Sequence, residues 1–146
     1  MAPWWINKAQ GAEFCMTSQV GVGGLRIAKA LSYVCGHRDE LVALLDEDVT
    51  ALRAVEAVVG RPPVDDVSLT ALLDALHAAV RRAGDSSGVY GAVGRSVMSA
   101  GVADLDVVYR CPLQLCIGRS AHEVDGEEPR CQFAPGAMAL IRERLP

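Results

Sequence analysis

The side chains in this chain best equipped for chemistry are sulfurs. Cys111-Pro-Leu-Gln-Leu-Cys116 is a tight turn that can present two thiolates to one ion, and Cys131 follows beyond it. Zinc takes thiolate and imidazole ligands in a tetrahedral shell. Cys111, Cys116 and Cys131, with His122 as the nearest fourth candidate, therefore describe a three-cysteine, one-histidine structural zinc site. A zinc ribbon would carry a second cysteine pair, whereas Gln132, Phe133 and Ala134 follow Cys131. The fourth ligand is then His122 or comes from Cys15, Cys35 or His37 earlier in the chain. Two further readings fit the same residues: inert thiols buried as small apolar side chains, and a redox or disulfide role.

Other constellations are weaker. Cysteine–histidine catalysis needs a thiolate beside an imidazole, and the pairs available are Cys35 with His37, adjacent in sequence, or Cys15 with His77 brought together in space. Cys35 falls at a helix C-terminus, where the dipole raises a thiol pKa, which argues against a nucleophile. Gly21-Val-Gly-Gly24 lacks both the preceding strand and the Lys-Ser/Thr ending of a phosphate loop and reads as a hinge. Asp46-Glu-Asp48 has no calcium-loop glycine and reads as a solvated face in mid-helix. Trp4-Trp5 reads as a pair of indoles docked on the core. No catalytic residue is assigned.

The elements that must hold these residues are mostly helical. Leu25, Ile27, Ala28, Leu31 and Val34 fit a first helix stopped by Gly36. A second, capped by Asp39, carries Leu41, Leu45, Leu52, Val55 and Val59 and ends at Gly60 before Pro62-Pro63. A third starts at Asp65, Asp66 and the cap candidate Ser68, buries Leu69, Leu72, Leu73, Leu76 and Val80, and closes on Arg81-Arg82 before Gly84. Asp85-Ser-Ser-Gly88 is a turn into a fourth helix, Val89 to Ala100. Beyond Gly101, Leu105-Asp-Val-Val-Tyr109 reads as a strand leading into Cys111. Asp125-Gly126 suggests a hairpin pairing His122–Val124 with Glu128–Cys131, and Met138, Ile141 and Leu145 mark a terminal helix.

The expected fold is mainly α: a bundle of about four helices over 1–101, with a cysteine-bearing β-hairpin knuckle and terminal helix over 102–146 packed on it. The 146-residue length and 51% hydrophobic content suit one such core. The stretch from Tyr109 to Leu145 resembles the Cys-Pro-x3-Cys…Cys…Leu tails of small helical adaptor proteins encoded beside actinobacterial conflict and defence genes. That resemblance implies an adaptor linking a sensor to an effector, and it carries over Cys111, Cys116 and Cys131 as metal ligands.

A net charge of −4 without a basic face argues against nucleic acid, as does the acidic start of the third helix, which would meet phosphates in a helix-turn-helix. The start of the chain lacks a secretory pattern, and five cysteines would leave one unpaired in an oxidising compartment, so a cytoplasmic location is expected. The expected function is a non-catalytic interaction or adaptor module that binds another protein or itself, without a membrane. Its rival is a small thiol-dependent enzyme or redox switch using Cys111 or Cys116.

Overall fold

The computed structural model describes residues 22–61, 63–91, 107–124 and 127–144. Cys15, Trp4-Trp5 and most of the expected fourth helix lie outside them. The helical part runs α1 (Val22–Gly36), α2 (Arg38–Leu45), α3 (Thr50–Val59), α4 (Asp66–Arg82) and the single turn α5 (Gly88–Gly91). The tail holds β1 (Val107–Arg110), β2 (Arg119–Ser120), a 3-10 turn (Ala121–Glu123) and β3 (Ile141–Arg144). The chain is thus mainly helical with a small antiparallel sheet in the order β2-β1-β3. Among the described residues no helix is long and apolar enough to cross a membrane.

Helical periodicity builds the core. Ala30, Leu31, Val34 and Cys35 form one face of α1, Leu52, Val55 and Val59 one of α3, and Leu69, Leu73, Leu76 and Val80 one of α4. These faces meet in a single apolar cluster that also takes in Cys111, Cys131, Phe133, Ala134 and Leu140 from the tail.

Several sequence expectations are corrected. The long second helix is two, because the chain turns at Asp46, which stands at φ +50 after the carbonyl of Val42 takes its N–H. Asp46-Glu-Asp48 therefore lies in the connection between α2 and α3 and not in mid-helix. Turning there lets Leu45 and Leu52 both reach the core, a gain that outweighs a few continued backbone bonds. Asp39 sits in the first turn of α2, and the cap position is His37 with no side-chain bond. From Val22 onward the glycine stretch read as a hinge is the first turn of α1, where glycine is cheap because the first N–H groups have no intrahelical partner anyway.

The tail departs further. Ser120 and Glu123 form a reciprocal capping box, the Ser120 N–H donating to Glu123 Oε2 at 2.7 Å, so 121–123 coils and cannot pair with 128–131. Arg130 instead bridges Ala139. The expected terminal helix is strand β3, with Val108 opposite Glu143 and Arg110 opposite Ile141. Three apolar residues at helical spacing are too few to hold a short helix, while β1 offers a ladder edge and Arg110 an ion pair to Glu143.

At α4 the cap is Asp65, three residues before the expected cap Ser68, which is instead its donor: the Ser68 N–H reaches Asp65 Oδ2 at 2.8 Å. The Ser68 hydroxyl, followed by this backbone N–H, holds the Asp65 carboxyl below its ordinary value. A depressed folded-state pKa contributes stability above the unfolded pKa and loses it as pH falls through the folded one. Asp65→Ala is expected to melt at lower temperature than the parent at neutral pH, with the gap closing under acid. Paired thermal melts at neutral and strongly acidic pH check this.

A four-cysteine cluster as candidate functional site

The tail is fastened to α1 by a set of directed contacts at the helix C-terminus. The Ser32 hydroxyl donates to the Gly118 carbonyl, and the Ile117 N–H donates to the Ala28 carbonyl at 3.4 Å. Arg119 on β2 reaches back with one Nη2 that donates to the Cys35 carbonyl at 3.2 Å and the Arg130 carbonyl at 3.1 Å. A helix leaves its last carbonyls unpaired, and a guanidinium is a natural partner for one of them.

These contacts bring four cysteines together. Cys35 closes α1, Cys111 follows β1, Cys116 ends the Pro-Leu-Gln-Leu turn, and Cys131 follows the Arg130 bridge. Cys111 is a thiol-to-thiol hydrogen-bond partner of both Cys116 and Cys131, and Cys131 is also the partner of Cys35. Cys35 and Cys116 are close enough to repel as charges. Cys35, Cys111 and Cys131 are buried and Cys116 is half-buried; all four are free.

Backbone N–H groups surround the sulfurs. Cys35 Sγ accepts from the Gln132 N–H at 3.3 Å, with Arg119 Nη2 at 3.5 Å. Cys111 accepts from the Leu115 and Cys116 N–H groups, Cys116 from Gly118, and Cys131 from Phe133. No family model, curated protein or solved structure matches this chain. The site is therefore read from its own geometry.

Electrostatically the four thiols divide into two roles. The Cys131 thiol, then the Gln132 N–H and Arg119, pull Cys35 down to about 6 against the opposing effect of burial. Cys116 and Cys131 together pull Cys111 down as well. Cys111 pushes Cys116 up, reinforced by burial, and Cys111 and Cys35 push Cys131 up. Cys35 and Cys111 thus act as hydrogen-bond acceptors while Cys116 and Cys131 keep their protons. The helix-dipole expectation of a raised Cys35 is overturned by this local ring of donors.

Of the sequence candidates, Cys111 has Cys116 and Cys131 as its side-chain neighbours. His122 has its backbone in the 3-10 turn, and its side chain lies outside the described residues. Cys35 joins the three, having been one of several distant options. Among the described residues no group of three or more His, Cys, Asp or Glu side chains is arranged to hold a metal ion as it stands; the cysteines neighbour one another pair by pair. Arg119 and Gly118 carried no local signal, since one arginine and one glycine in a tail are unremarkable until β2 places them.

The catalytic alternatives find little here. The His37 ring stacks on Tyr33 at 4.4 Å between centroids and donates from Nδ1 to the Tyr33 carbonyl at 3.0 Å, so that nitrogen is committed within α1. His77 lies against Tyr90 at 4.9 Å with Nδ1 buried and, among the described residues, without a hydrogen-bond partner. It lines a cleft of about 470 Å³ with Arg81, Arg82 and Ser86, and that cleft contains none of the cysteines.

Proposed function

We propose that this chain is a non-catalytic interaction module, an adaptor of a bacterial defence or regulatory system, in which the cysteine cluster is structural. The cluster cross-braces the tail to the end of α1, and the braced tail is the surface offered to another protein or to a second copy. The observation that carries this reading is the setting of the sulfurs. They neighbour one another, backbone N–H groups and Arg119 inside the core, and among the described residues no imidazole is one of their partners. A catalytic cysteine instead faces a cleft beside a base. Ile117, Met138 and Ile141 give the braced tail exposed apolar side chains for docking, while Leu25, Val42, Leu44 and Val67 are exposed on the helices.

The thiol-dependent enzyme or redox switch keeps one feature in its favour: Cys35 is pulled down to about 6 and Cys111 is lowered too, the direction that favours a nucleophilic thiolate. Alkylation of the folded chain separates the two, with each cysteine followed by peptide mass spectrometry. The structural reading predicts that Cys35, Cys111 and Cys131 are modified only as fast as the tail opens, with half-buried Cys116 ahead of them. Rapid modification of Cys35 or Cys111 in the folded protein at neutral pH would favour the enzyme or switch. Light scattering of the purified chain then tells self-association from a requirement for a different protein.

A further inference from the structure

We propose that Cys35, Cys111, Cys116 and Cys131 together hold one zinc ion, with the helical residue Cys35 as the fourth ligand. The inference deepens the structural reading of the cluster, and it can stand even if the interaction reading fails.

Three independent features carry it. The first is the donor set: four sulfurs and no carboxylate select a soft or borderline ion, and an all-thiolate tetrahedron is a common structural zinc shell. The second is scale. Zinc–sulfur bonds of about 2.3 Å put the sulfurs of a tetrahedron roughly 3.8 Å apart, which is the range of thiol-to-thiol contact. Cys35–Cys131, Cys131–Cys111 and Cys111–Cys116 are already neighbouring pairs that link all four residues, and the Gln132 N–H next to Cys131 reaches Cys35 Sγ at 3.3 Å. An iron–sulfur cluster needs its cysteines spread around a much larger core and does not fit thiols in mutual contact.

The third feature is the ring of donors. The Gln132 N–H donates to Cys35 at 3.3 Å, and the backbone N–H groups of Leu115 and Cys116 favour charge on Cys111, that of Gly118 on Cys116 and that of Phe133 on Cys131. Protonated thiols are weak acceptors and gain little from such a ring, whereas thiolates around a dication carry a net charge of minus two that must be stabilised. Arg119 offsets one of those charges from beside Cys35. On binding, each thiol that still carries a proton releases it to solvent, and small side-chain rotations replace pairwise contacts with bonds to the ion. No oxidation state changes.

Zinc per chain, measured by elemental analysis of the full-length protein purified under reducing conditions, tests the assignment. About one zinc per chain is expected. Cys35→Ser, Cys111→Ser, Cys116→Ser and Cys131→Ser should each lose it, while Cys15→Ser and His122→Ala keep it. Arg119→Gln should hold zinc about 10- to 100-fold less tightly, as a lost outer-shell partner does. A zinc-free wild type that takes up none when titrated with the metal overturns the proposal, as does stoichiometric iron. Zinc kept by Cys35→Ser but lost by His122→Ala overturns the fourth-ligand assignment. Should the serine variants fail to fold, cobalt(II) in the wild-type chain decides: absorption of an all-sulfur tetrahedral site supports four thiolates, and that of a three-sulfur, one-nitrogen site contradicts them.

Discussion

Stripped of zinc by an excess of strong chelator, the chain is expected to retain the helical signal of α3 and α4 while the tail loses amide protection from Val107 to Arg144. Tail and helices are supported differently. The helices bury continuous apolar faces, whereas the tail is a segment of under 40 residues with strands of two and four residues. Segments of that size seldom hold a fold without a metal, disulfide or partner. Among the described residues its buried apolar side chains beyond the cysteines are Phe133, Ala134 and Leu140, with Tyr109, Leu113 and Leu115 partly buried against the core. Structural zinc binding by small domains is worth roughly 10–16 kcal/mol, more than so small a segment can recover by packing. Hydrogen exchange read by mass spectrometry, before and after chelation, resolves the two regions. Unchanged protection in the tail would mean that packing alone holds it and that the cysteines are inert buried thiols.

Gly118→Ala should come close to chelation in effect. Gly118 stands at φ +82, and a Cβ there would lie 2.2 Å from the Tyr109 carbonyl oxygen and 3.2 Å from Arg110 Cα. The left-handed backbone alone costs an alanine about 1–2 kcal/mol. The overlap adds to that because the obstacle is backbone of β1, which cannot move without breaking its pairing with β2. Relief of the clash also displaces the Gly118 N–H from Cys116 and the Gly118 carbonyl from Ser32. Gly136→Ala is the matched control, at φ +70 with nothing within 4 Å of the added carbon. Thermal melts and zinc content should show a large loss for Gly118→Ala and a small one for Gly136→Ala. Equal behaviour of the two would contradict the role assigned to the close approach at Gly118.

The helical half was legible because several local signals coincide there. On α4 the apolar period, the acidic start, the Arg81-Arg82 end and the Gly84 stop all agree, and the structure differs in moving the cap from Ser68 to Asp65 and in leaving Leu72 half-buried. On α2 and α3 the period was right and the continuity wrong, since Leu45 and Leu52 keep helical spacing across a turn that only Asp46 reveals. The tail was opaque for a different reason. Its short strands are chosen by non-local pairing, and Arg110 opposite Ile141 or Arg130 opposite Ala139 leaves no periodic trace in so few residues.

The cluster was legible to the same degree. Cys111 and Cys116 share a turn and Cys131 lies nearby, so their spacing speaks for itself. Cys35 lies 76 residues before Cys111 in the sequence. Only the docking of the tail on α1, through Ser32, Ala28 and Arg119, brings it in.

X-ray absorption at the zinc edge of the wild-type protein tests the four-thiolate centre most directly, because it counts ligands without any substitution. A single shell of four sulfurs at about 2.3 Å is predicted. A shell of three sulfurs with one nitrogen at about 2.0 Å, or one made of oxygen and nitrogen alone, would contradict it.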